Sequence, residues 1–159
     1  MAGNLLLKEL ASTGSTITSS GGSTSNGNAT SAGAGSLDLR SGGTTNAVEA
    51  LCGYFELTAQ WATVTSIAQG TIVADLFLVP SIDGTNYATV DTTYISPNLR
   101  FGQFVNALAS PSTSTNYRFA TGVGDLFPTL YTPYIINRSG QTISANWTLK
   151  FYFAIAQYT

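Results

Sequence analysis

The stretch Leu51-Cys52-Gly53-Tyr54-Phe55-Glu56-Leu57-Thr58-Ala59-Gln60-Trp61 decides the fold class. Leu51, Gly53, Phe55, Leu57, Ala59 and Trp61 share one parity and Cys52, Tyr54, Glu56, Thr58 and Gln60 the other, the period of two of a half-buried β-strand. The alternation returns near the C-terminus, where Ile143, Ala145, Trp147, Leu149, Phe151, Phe153 and Ile155 face one way and Ser144, Asn146, Thr148 and Lys150 the other. Between them, residues 71–79, 98–109, 116–121 and 129–137 are rich in β-branched and aromatic side chains and bounded by Gly, Pro, Asn or Ser, which predicts four more strands. Asp83-Gly84 with Asn86, and Asn137-Arg138-Ser139-Gly140, carry residues that tolerate positive φ and reverse the chain.

Several short strands would leave an apolar face wet in a single sheet, so the pattern predicts an all-β fold of two packed antiparallel sheets, a jelly-roll-like β-sandwich. The sandwich is expected over residues 49–159 and an extended arm over 1–48. From Ala11 to Gly35 nearly every residue is Ser, Thr, Gly, Ala or Asn, too poor in large apolar groups to order itself. Residues 5–10 and Ser36-Leu37-Asp38-Leu39-Arg40 interrupt the tract as docking points. Such an arm orders only where its backbone finds partners, and neighbouring subunits are the expected anchor, so its removal is expected to leave the sandwich folded.

Composition narrows the function. Charged residues make up 9% of the 159-residue chain against about 25% in an ordinary soluble domain, so the polar surface is neutral and lacks the repulsion that keeps monomers apart. A net charge of −2, with six basic residues scattered along the chain, gives no footprint for nucleic acid or an anionic membrane. The single Cys52 excludes an intrachain disulfide, and the N-terminus reads as no signal peptide, which predicts assembly in the cytoplasm.

Histidine is absent, which removes the commonest general base and metal ligand together. No catalytic, cofactor-binding or metal-binding residues are expected, and no cofactor. A carboxylate pair could still hydrolyse a glycan, and Asp83 and Asp91 are the candidates, but Asp83 sits in a turn signature and Asp91 beside it reads as solvated. Asp75 lies inside an apolar run and needs a partner, for which Arg100, Arg118 and Arg138 are available. Gly33-Ala34-Gly35 and Gly122-Val123-Gly124 follow no strand-to-helix pattern and hold no phosphate, and the sequons at Asn28, Asn137 and Asn146 are of a kind that arises readily by chance here. Tyr54, Tyr131 and Tyr152 are expected on outward faces, and Val73, Phe77 and Val79 make a second apolar face on their strand, so that strand should lie between two layers or against another subunit.

The stretch Val73-Ala74-Asp75-Leu76-Phe77-Leu78-Val79-Pro80-Ser81-Ile82-Asp83-Gly84-Thr85-Asn86-Tyr87 and the closing Ser139-Gly140-Gln141-Thr142-Ile143-Ser144-Ala145-Asn146-Trp147-Thr148-Leu149-Lys150-Phe151 resemble small virion proteins of tailed bacteriophages, the head decoration or cement proteins. The resemblance covers roughly residues 36–159 and carries no catalytic signature. It implies a jelly-roll domain, commonly a homotrimer, on the outer capsid surface of the virion, where it clamps neighbouring subunits of the major capsid protein. The rival expectation is a tail-fibre or capsid-surface domain that binds host glycans.

Overall fold

The computed structural model describes residues 5–9, 15–32, 37–39, 52–63, 67–81, 86–87, 90–91, 94–108, 111–113, 115–127 and 129–158. In chain order the elements are β1 (Leu5–Glu9), β2 (Ser15–Gly21), β3 (Ala29–Ser31), β4 (Leu37–Asp38), β5 (Cys52–Ala59), β6 (Ile72–Pro80), a 3₁₀ turn (Pro97–Leu99), β7 (Arg100–Val105), β8 (Tyr117–Ala120), β9 (Gly124–Asp125), β10 (Leu130–Asn137) and β11 (Trp147–Tyr158). No α-helix occurs among the described residues.

The strands form two antiparallel sheets. In the first, β11 and β5 are central, with β1 and β2 sharing the outer edge of β11 and β8 and β9 sharing that of β5. In the second, β10 and β6 are central, with β3 and β4 on the outer edge of β10 and β7 on that of β6. The pairing is nested: β2 meets β11 and β5 meets β8 in one sheet, while β3 meets β10 and β6 meets β7 in the other. The expected two-sheet β-sandwich is the observed fold.

The alternation that predicted β5 also sets its register. Phe55 opposes Phe151 and Leu57 opposes Leu149 on the inner face, while Tyr54 opposes Tyr152 on the outer one. The inner residues meet Leu76, Ile135 and Phe104 from the second sheet in one core cluster, and all of them are fully buried. Leu51 lies outside the described residues. At the C-terminus the parity runs on from Ile143, but the strand begins only at Trp147, because Asn146 adopts a left-handed φ of 69° and breaks the ladder. Pro133 sits in the central strand β10, where a missing N–H would ordinarily be costly. Its carbonyl accepts from the Ala32 N–H at 2.9 Å, and its missing donor faces that same edge, in the gap between β3 and β4.

The second apolar face of β6 is covered by the chain itself. Phe77, Val79 and Ile136 form a second cluster on the outside of the second sheet, closed over by Ile95, Tyr87, Val90 and Leu99 from the connection that follows β6. Val73 belongs to the main core instead. Tyr131 corrects the expectation of an outward tyrosine: it points inward and is buried in the main core, because it shares the parity of Ile135.

The described parts of the arm are paired within the same sandwich. Ile17, Ala32, Leu37 and Leu39 enter the main core. Gly21 lies flat against the Trp147 indole, where a Cβ would collide with the ring, and the indole N–H donates to the Gly22 carbonyl at 2.8 Å. Thr24 and Ile143 exchange two backbone hydrogen bonds, at 3.0 and 3.1 Å. The anchor expected from neighbours is thus supplied by β10, β11 and the turn between them. That turn is held by Asn137, whose buried amide donates to Thr24 O at 2.8 Å and Gln141 O at 2.6 Å and accepts from Ser139 N at 3.0 Å and Ser139 Oγ at 2.8 Å. Ser139 Oγ in turn accepts from the Trp61 indole at 3.2 Å, so one side-chain network joins the arm, the turn and the end of β5.

Candidate binding surface

Among the described residues the ion-paired side chains fall into two small groups. Asp75 projects from the outer face of β6 and accepts from Arg138 Nε at 2.9 Å and Gln103 Nε2 at 2.9 Å, with Arg100 Nη1 further off at 3.7 Å. Its carboxylate is therefore satisfied by Arg138 and Gln103, and the half-exposed Arg100 guanidinium keeps most of its donors free among the described residues. Of the three arginines available to Asp75, the third is engaged elsewhere: Arg118 on β8 hydrogen-bonds Glu56, its diagonal neighbour on β5. That bond and the Glu56 charge raise the Arg118 pKa above its ordinary value.

The other expected residues are dispersed. Asp83 lies outside the described residues, and Asp91 is exposed. Among the described residues no three of Cys, Asp and Glu gather as metal ligands would. Tyr54 and Tyr152 stack at 4.8 Å between centroids, 4° from parallel, on the outer face of the first sheet. Gly33-Ala34-Gly35 lies outside the described residues, while Gly122-Val123-Gly124 carries the exposed Val123 into β9.

One concave site was invisible in the sequence. A cleft of about 360 Å³ opens between the start of β7 and the segment joining β9 to β10. Its floor is Leu78, Leu126 and Tyr131, all buried, and burial pushes the Tyr131 hydroxyl above its ordinary pKa. One wall carries Asn98, Arg100 and Phe101, the other Asp125, Phe127 and Thr129. Phe101 is fixed by edge-on contact with Phe55 at 5.0 Å and by the bare backbone of Gly124, at which a Cβ would approach the ring to 2.9 Å. Phe127 stands at the rim, 82% exposed. Its backbone is held by the Thr129 N–H at 2.8 Å and by the buried Leu126 beside it. The one sequence signal was an aromatic at a position with no strand alternation, Phe127 directly before Pro128. Arg100 also lines a smaller hollow of about 160 Å³ with Asp75, Arg138, Phe77 and Tyr94, so it links the two concavities.

In comparisons with known proteins, the chain matches no family model, no curated protein and no solved structure.

Proposed function

We propose that the chain is a non-enzymatic structural protein of a virion, which decorates and cements the outside of a phage capsid by bridging neighbouring subunits of the major capsid protein. The observation that carries this reading is the disposal of charge. Asp75 pairs with Arg138 and, more distantly, with Arg100, a group with one positive charge to spare, and Glu56 pairs with Arg118, in a chain that is only 9% charged to begin with. The surface around them carries few further charges, Asp91 and Asp125 among them, and bears the exposed Tyr94, Val105, Leu108 and Val123, a composition suited to burial against other chains. The nested strand order supports a jelly-roll winding, in which first pairs with last and second with penultimate. The resemblance of the β6 and β11 regions to phage decoration proteins supplies the virion setting, and a homotrimer is the expected form.

The test is a reconstruction of capsids incubated with the purified protein, with light scattering on the free protein. Density at capsid symmetry sites and a trimeric mass are the expected results. A chain that stays off the capsid, or that occupies the tail, overturns the cement reading.

A further inference from the structure

The geometry points to the cleft between β7 and the β9–β10 segment as a binding site for a neutral hexopyranose. This activity is separate from any assembly role. The cleft's volume of about 360 Å³ falls within the range of about 300–1,000 Å³ typical of small-ligand pockets, and its lining has their composition, an apolar floor with a few polar groups at the walls.

The polar groups select the ligand. The Asp125 carboxylate makes no ion pair or side-chain hydrogen bond among the described residues, and it only accepts. Arg100, on the facing wall, has donors to spare because Arg138 and Gln103 already satisfy Asp75, and it only donates. The two charges lie on opposite walls with no bridge between them within 4.0 Å. They cancel over the cleft, so an ionic ligand gains nothing overall, whereas a hydroxyl can donate to Asp125 while its neighbour accepts from Arg100. A ligand that does both on a compact scaffold is a polyol. Asn98, whose amide both donates and accepts, lies on the same wall as Arg100.

Phe127 supplies the remaining element. An aromatic ring 82% exposed on an anchored backbone presents a flat apolar face at the rim. The C–H face of a pyranose covers such a ring, its hydroxyls then projecting sideways toward the walls. A branched apolar side chain would cover the ring equally well but would leave the Asp125 carboxylate and the spare donors of Arg100 without partners.

The full-length chain should be titrated, by saturation-transfer NMR and calorimetry, with methyl glucoside, galactoside and mannoside and with neutral oligosaccharides ending in them. Binding of at least one is expected, and binding of oligosaccharides alone identifies an internal polysaccharide unit as the ligand. Phe127→Ala and Asp125→Asn should each weaken binding by about tenfold, the scale of one lost stacking or charge-assisted contact. Because Phe127 is exposed, its variant should unfold at the wild-type temperature, which separates loss of the site from loss of the fold. The proposal is overturned if the folded wild type binds no neutral sugar up to about 10 mM, or if Phe127→Ala binds as well as wild type. Self-association that Phe127→Ala abolishes, with no sugar bound, overturns it in favour of an interface between copies.

Discussion

Asn137→Asp tests whether the arm is truly tied into the sandwich, because the substitution changes one atom at the junction. The Asn137 side chain is fully buried and uses both ends: its oxygen accepts from Ser139 N and Oγ, and its nitrogen donates to Thr24 O and Gln141 O. Aspartate keeps the first pair and turns the second into a carboxylate oxygen facing two carbonyls at donor distance. An unmade hydrogen bond to a buried group costs about 1–3 kcal/mol, more where charge is involved, so the two lost donations amount to about 3–5 kcal/mol at about pH 7. That is a large part of the roughly 5–15 kcal/mol that holds an ordinary domain folded. A protonated carboxyl restores one donation, so the introduced Asp holds its proton to higher pH in the folded chain than in the unfolded one. The folded state then binds more protons. Stability relative to wild type is highest below the unfolded-state value of about 3.9 and falls as pH rises through the elevated folded-state value. Urea unfolding of both proteins at matched pH values reads this difference directly, with the remaining carboxylates common to both. A deficit under about 1 kcal/mol at about pH 7, or one that does not shrink on acidification, refutes the tie between arm and turn.

Two further outcomes follow from the same contacts. Deletion of residues 1–32 removes Ile17 and Ala32 from the core, uncovers Trp147 and frees the outer edge of β11 and the part of β10 covered by β3, so calorimetry should show a fall in unfolding temperature of more than about 10 °C together with aggregation. An unchanged melting temperature would return the arm to the status of a separable tail. Asp75→Asn presents an amide nitrogen to one of two donors, Arg138 or Gln103, and should cost about 1–3 kcal/mol in a denaturant titration, discounted toward the lower end because Arg138 is half exposed.

What could be read from the sequence was whatever side-chain parity encodes. Phe55, Leu57 and Ala59 on β5, Trp61 just beyond it, and Trp147, Leu149 and Phe151 on β11, are buried as their alternation required. Parity fails where both faces of a strand are apolar: β10 buries Ile135 in one cluster and Ile136 in another, so nothing in its pattern says that Tyr131 faces the main core. The partner of Asp75 was equally hidden, since Arg100 reaches it from β7 and Arg138 from the turn after β10, while Arg118 lies in the other sheet. Apart from Phe127, the cleft had no local signature, because its walls come from around residue 100 and around residue 127 and meet only through the packing of Phe101 on Phe55 and Gly124.

The arm shows most clearly why composition misled. Counting large apolar groups over residues 11–35 asks whether the tract can build a core, and it cannot. Its described strands do something else: they cap the exposed edges of β10 and β11, where the partner is backbone and the requirement is a free N–H and C=O on a side chain small enough to lie close. Ser, Thr, Gly and Ala meet that requirement, and at Gly21 anything larger would strike Trp147. A chain with so few charges cannot protect open strand edges with lysines, the usual device, so it covers them with its own N-terminal tract. The low-complexity composition and the low charge are on this account two sides of one solution, and loss of the arm should therefore appear as edge-to-edge association as well as lost stability.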